Sequence, residues 1–227
     1  MRMFAVYQKG EALAFISHLD VQRTLQRAFR RAELPLQYSQ GFNPHPLLSF
    51  AAAVPTGETS ACEWFEVRLD GTVAPEDFLR RVGDALPAGL AVSRALEAPE
   101  RAGKLSVLVR AAAYRIRLTA GEPIPAAAAS EALEALLAGE ILVNKRTKGG
   151  TRPVDIRPQI MQASVEDAGD GGVTLHVLGK LQADGGLRAS FLTDALLERL
   201  AARDGMARIC RTAMYFDADG LLPGLAP

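Results

Sequence analysis

Residues 17–50, SHLDVQRTLQRAFRRAELPLQYSQGFNPHPLLSF, decide the fold of this chain. Ser17 followed three residues later by Asp20 is a helix-start signature, since a small hydroxyl can cap the first free amides while an acid faces the positive end of the helix. Val21, Leu25, Ala28, Phe29 and Ala32 then recur at helical spacing, which predicts a helix over His18 to Ala32 with one apolar face. Arg23, Arg27 and Arg30 project from the opposite face, with Arg31 at its edge. Positions i, i+4 and i+7 fall within about 60° around a helix, so the three form a cationic ridge two turns long. From Pro35 to Gly57 the chain reads as extended and loop-like, broken at Asn43-Pro44-His45-Pro46.

Working outward, residues 2–8 read as a strand that resumes at Leu13–Ile16, and ACEWFEVRL, residues 61–69, reads as another. Pro75–Ala85 reads as a helix begun at a proline and Gly89–Leu96 as a strand. The order β-α-β-β-α-β is the ferredoxin-like pattern. The second half repeats it. It has a strand over 107–119, an alanine-rich helix over 126–138, and a strand from Ile141 interrupted by KRTKGGTR and resumed through Val165. A strand over 172–178, a helix over 190–202 and a last strand over 207–216 complete the set. The expectation is an α+β chain of tandem ferredoxin-like repeats, residues 1–100 and 105–220, joined through EAPERAGKL at 97–105. The closing DGLLPGLAP, residues 219–227, is expected to pack poorly.

Bulk numbers narrow the function. The 227 residues are 48% hydrophobic and carry 26 Lys plus Arg against 26 Asp plus Glu, so the chain folds and has no global basic excess. Binding of a polyanion must come from local clustering. No apolar run spans a bilayer and no secretory signal opens the chain, so a cytoplasmic protein without membrane contact is expected. Two cysteines, Cys62 and Cys210, make neither a disulfide framework nor a cluster site, and zinc, Walker and dinucleotide motifs are absent. No metal or cofactor is expected in this chain.

Two basic elements remain. The helix ridge uses arginine alone, whose planar fork suits phosphate, or it is a solvated outer face. The cluster Lys145, Arg146, Lys148, Arg152 and Arg157 surrounds Gly149 and Gly150, as a clamp on an irregular phosphate strand needs, or it is a solvated hairpin tip. Tyr38, Phe42 and His45 offer flat groups for unpaired bases, although Phe42 reads more readily as a plug beneath its loop. His18 and His45 form a candidate acid–base pair for metal-independent RNA cleavage, His18 being held neutral by the start of its helix. Structural roles for both are the commoner case.

FISHLDVQRTLQRAFRRAELPLQYSQGFNPHPLLSF, continued by PTGETSACEWFEV and by KRTKGGTRPVDIRPQI, resembles the radical-SAM-linked family of bacterial proteins over nearly the whole chain. The resemblance implies a domain fused to or encoded beside a radical SAM protein, which would hold any cluster and perform any radical step. More distantly, the tandem order is similar to CRISPR repeat-processing endoribonucleases, whose C-terminal glycine-rich loop has no clear counterpart here. The leading expectation is an RNA-binding accessory protein that presents tRNA or rRNA to a separate radical SAM enzyme and is not catalytic alone. Phosphate contacts would come from Arg23, Arg27, Arg30, Arg31, Lys145, Arg146, Lys148 and Arg152. A metal-independent endoribonuclease and a small-anion-binding domain are the alternatives.

Overall fold

A computed structural model describes residues 1–99, 101–147, 150–182 and 185–217, with the backbone alone at 146 and 147. The chain is mixed α and β, dominated by sheet, with five α-helices among the described residues. It divides into two compact units: Met1–Arg110 with Ala213–Pro227, and Ala111–Thr212.

The first unit holds β1 (Arg2–Lys9), α1 (His18–Arg31), β2 (Leu48–Phe50), β3 (Thr59–Arg68), α2 (Pro75–Ala85), β4 (Leu90–Glu97) and the one-turn α3 (Leu105–Leu108). Its strands order as β4-β1-β3-β2 and every pairing is antiparallel. Alternation along β1 sends Met3, Ala5 and Tyr7 to the face that α1 and α2 cover, where Phe65 and Val67 of β3 join them. Val21, Leu25 and Phe29 of α1 and Phe78 and Val82 of α2 close this core. On the opposite face Arg2 grips Glu66 with one edge of its guanidinium, Nε and Nη2 at 2.8 and 2.9 Å, and its Nη1 donates to the Ala102 carbonyl at 2.7 Å. The described residues of the segment expected to link the halves, 97–105, therefore belong to the first unit, with Ala98 and Ala102 buried.

The second unit holds most of β5 (Val109–Thr119), then α4 (Ala126–Leu137), β6 (Leu142–Thr147), β7 (Gly150–Asp155), β8 (Ile160–Asp167), β9 (Val173–Gln182), the short β10 (Gly185–Gly186), α5 (Ala189–Arg199) and the first part of β11 (Met206–Phe216). Strand order is β8-β9-β5-β11, with β10 against the end of β9. Ile116, Leu118, Leu175 and Val177 meet Leu133 of α4 and Leu192 and Leu196 of α5 in a separate core.

Two local expectations are corrected. Residues 13–16 do not resume a strand. Glu11–Leu13 is a 3-10 turn, because the Lys9 ammonium gathers the carbonyls of Ala14 and Ile16 and curls the chain around itself. The strand expected from Ile141, interrupted at KRTKGGTR and resumed through Val165, is instead three strands: β6 and β7 pair in a two-stranded sheet of their own, and β8 pairs with β9. Residues 219–227 lie outside the described residues.

Candidate nucleic-acid interface

The arginine ridge stands where helical spacing puts it. Ser17 caps α1: its hydroxyl accepts from the Asp20 amide at 3.2 Å and donates to the Asp20 carboxylate at 2.7 Å. That bond, with Arg23 adding to it, holds the Asp20 carboxyl below the usual range. Arg23 reaches Asp20 at 3.2 Å. Among the described residues Arg27 donates to the Thr24 hydroxyl alone, at 3.1 Å. Among the described residues no carboxylate lies within ion-pair distance of Arg27 or Arg30, and both are exposed.

Arg31 departs from the ridge. Its guanidinium donates to the Ala85 carbonyl at the C-terminal end of α2, where cations are favoured. Arg81 answers from α2 by donating to the carbonyls of Ala32, at 2.8 Å, and Glu33. The groove here, about 420 Å³, is lined by Arg31, Arg80 and Arg81 and equally by Glu33, Asp77 and Asp84. Its charges cancel, so Arg31 joins the two helices and adds nothing to the cationic face.

The GFNPHP loop is a closed projection. Tyr38 bridges Pro46, the Ser39 amide donates to the His45 carbonyl at 2.9 Å, and Leu47 donates to Gln37 at 2.8 Å. The Ser39 hydroxyl bonds both the His45 amide, at 3.2 Å, and its Nδ1, at 2.9 Å. Gly41 turns the chain at φ +125°, where a side chain would be strained. Phe42 does not plug the core. At the apex its ring is fully exposed (105% of the reference area), while Tyr38 at the loop base is 41% exposed. The ring points outward because Ser39 and His45 close the loop on itself beneath it.

On the β6–β7 hairpin, Lys145 sits directly opposite Arg152, and both are exposed. Like charges in that register repel across roughly 5 Å, a cost that an anion would relieve. Only the backbone of Arg146 is described, and Lys148 lies outside the described residues. Arg157 is not part of this cluster. It donates to the Leu137 carbonyl at 2.6 Å and to Ile160 at 3.0 Å, closing the end of α4.

Sequence reasoning missed a buried polar centre beneath the start of α1. Lys9, 1% exposed, donates to the carbonyls of Ala14 (2.8 Å), Ile16 (3.2 Å) and Pro55 (3.5 Å). Burial lowers its pKa, while the nearby carboxylates of Glu58 and Glu63, both buried, act the other way. The His18 ring stands edge-on to Phe50, 4.6 Å between centroids, with Nδ1 buried and without a hydrogen-bond partner among the described residues. Burial lowers the His18 pKa, with Glu63 opposing and Lys9 adding to the effect. The available signal was parity: Lys9 continues the inward series Met3, Ala5, Tyr7, and Glu63 precedes the inward Phe65 and Val67. His18 and His45 share no hydrogen bond or ring contact among the described residues. Among the same residues, no group of three or more His, Cys, Asp or Glu could hold a metal ion.

A mixed α/β fold that displays two solvated basic elements and an exposed aromatic loop is thus the class of molecule in hand. The chain belongs to the family described as an uncharacterized protein conserved in bacteria (DUF2344), whose model matches residues 2–188. No curated protein matches it. Among solved structures it is similar to a chain of a Cbf5-Nop10-Gar1 complex, with 10% identity over 92% of this chain and 48% of that one and a TM-score of 0.49. It is similar to a chain of the archaeal box H/ACA sRNP Nop10-Cbf5 complex at 10% identity, 91% and 46% coverage and TM-score 0.44. A chain of an H/ACA RNP bound to a substrate RNA containing 2'-deoxyuridine matches at 8% identity, 93% and 46% coverage and TM-score 0.46. The chain spans about half the length of these solved chains. No helix among the described residues is long and apolar enough to cross a membrane.

Proposed function

We propose that this chain is an RNA-binding accessory protein, built of two ferredoxin-like halves of roughly 1–100 and 105–220, that works in the cytoplasm. It presents a tRNA or rRNA to a separate radical SAM enzyme and performs no catalysis alone. The β-α-β-β-α-β order with antiparallel β4-β1-β3-β2 neighbours supports the ferredoxin-like reading of the first half, and β8-β9-β5-β11 that of the second. The observation that carries the RNA reading is the ridge: Arg27 and Arg30 share one solvent face with Arg23, and among the described residues no carboxylate lies within ion-pair distance of either. Arginine forks so placed meet phosphate oxygens in pairs of hydrogen bonds.

The radical SAM partner rests on the resemblance of the SHLD helix, the GFNPHP loop and KRTKGGTR. The endoribonuclease alternative gains no support, because His18 and His45 share no hydrogen bond or ring contact among the described residues. Small-anion binding gains none either, because the arginine groove beside α2 is matched by carboxylates. Crosslinking RNA to the protein in cells and sequencing what is recovered tests the RNA reading. Purification from the native host with mass spectrometry tests the partner. Recovery of no radical SAM protein, together with an unchanged RNA modification profile in a deletion strain, removes the accessory role.

A further inference from the structure

Deepening that RNA reading, and resting on it, we infer that the GFNPHP loop selects unpaired nucleotides by stacking one base on Phe42, so that the substrate is a single-stranded or looped segment and not a continuous duplex. An isolated exposed apolar ring is ordinary on a protein surface and by itself argues nothing. Phe42 differs in how it is held. The strand-like pairing of Tyr38 with Pro46 and the amide bond from Ser39 to His45 shut the loop mouth. The Ser39 hydroxyl adds two further bonds to His45, at 2.9 and 3.2 Å. Pro44 and Pro46 fix backbone angles on the returning side. The ring is therefore presented on a closed loop whose backbone is already fastened, which is what a stacking platform needs.

Paired bases inside a duplex are already stacked above and below, so a duplex has no free base face to offer except at its ends. An unpaired base has two. The ridge of Arg23, Arg27 and Arg30 contacts phosphates, which both forms carry. Affinity from the ridge and discrimination from the loop are thus separable. Ser39 and His45 are positioning residues: they aim the ring and need not touch the base.

The test uses the full chain and a fluorescein-labelled mixed-sequence RNA of about 12 nucleotides, within the site sizes of single-strand binders, alone and annealed to its complement. The single strand should bind about tenfold more tightly than the duplex, and Phe42→Ala should remove most of that difference, since one base–aromatic stack is of this order. Phe42→Trp should restore binding, and the new indole should be quenched by the single strand and not by the duplex. Trp64, the chain's one native tryptophan, is 5% exposed and supplies a constant background. In the Phe42→Trp background, Ser39→Ala should lower the quenched fraction, which a purely structural role far from the base would not do.

Equal binding of both RNAs with a silent Phe42→Ala overturns the inference while the RNA reading stands, and leaves the ring to a protein partner. Binding of neither RNA at any salt overturns both.

Discussion

Arg27 and Arg31 lie one helical turn apart, and the structure assigns them opposite fates. Each phosphate neutralised on a single strand contributes about 0.7 to the slope of log K against log salt, because a condensed counterion is released. Arg27 is exposed and among the described residues bonds Thr24 alone, so Arg27→Ala should flatten the slope by about 0.7 and weaken binding evenly across unrelated sequences. Its effect on folding should stay within about 0.5 kcal/mol, as for other solvated positions. Arg31 spends its guanidinium on the Ala85 carbonyl. Arg31→Ala should leave the slope unchanged and cost about 0.5–1 kcal/mol, the worth of a cation at an exposed helix C-terminus. Fluorescence anisotropy across about 50–200 mM salt measures the first quantity. Urea unfolding followed by Trp64 emission measures the second, since that ring is buried in the first unit. Equal flattening by both variants would return Arg31 to the ridge, and no flattening by Arg27→Ala would refute the ridge as a phosphate contact.

Phe29, fully buried with Phe65 at 5.7 Å and Phe78 at 6.0 Å, should cost about 3–5 kcal/mol as Phe29→Ala; a loss below about 1.5 kcal/mol by the same urea assay would deny it a central place. His18 has a lowered pKa in the folded state, so the unfolded chain binds its proton first as pH falls. Stability of the first unit should therefore be fully present above the ordinary histidine value of about 6.5 and decline as pH drops through and below it. His18→Gln should flatten that decline between about pH 7 and 5.5, and an unchanged decline would count against the buried setting of the ring. RNA incubated with purified protein and EDTA should remain intact. Cleavage that disappears in the His18→Ala, His45→Ala double variant would put the nuclease reading first.

How much of this was legible in the residues depends on the range of the interactions involved. Ser17, Asp20 and the Val21–Leu25–Phe29 series act within one helix, and α1 starts and faces as their spacing requires. Pro75 opens α2 for the same local reason. The turn at Glu11–Leu13 depends on Lys9 binding carbonyls five, seven and forty-six positions away, which no periodicity encodes. Arg31 was assigned to the ridge by helical angle alone, whereas its partner is 54 positions on, at the end of another helix. Apolar character alone predicts burial for Phe42, whereas Gly41 and the prolines around it make a loop that projects and leaves the ring exposed. In β6–β7, Gly149 and Gly150 marked a turn, but the register that sets Lys145 against Arg152 comes only from pairing.

The buried centre and the exposed ridge are two ends of one device. A cationic helix face repels itself by a few tenths of a kcal/mol per neighbouring pair, so it stays ordered only if the opposite face is anchored well. Beneath α1 a continuous run of rings supplies that anchor: His18 on Phe50, Phe50 on Tyr7 at 5.9 Å, Tyr7 on Phe65 at 6.1 Å, and Phe65 on Phe29. Lys9 ties the segment entering the helix to Pro55, and the Gly57 amide bonds Ala14 at 2.8 Å, so the first turn is fastened from both sides. Arg81 and Arg31 fasten the last turn to α2. With both ends and the underside committed, Arg23, Arg27 and Arg30 remain as the cations of α1 on a rigid backbone, about 6 Å apart along the axis from i to i+4. With the backbone already fixed, only the side chains remain to be ordered on meeting a row of phosphates, and for that reason the helix is where binding energy should concentrate.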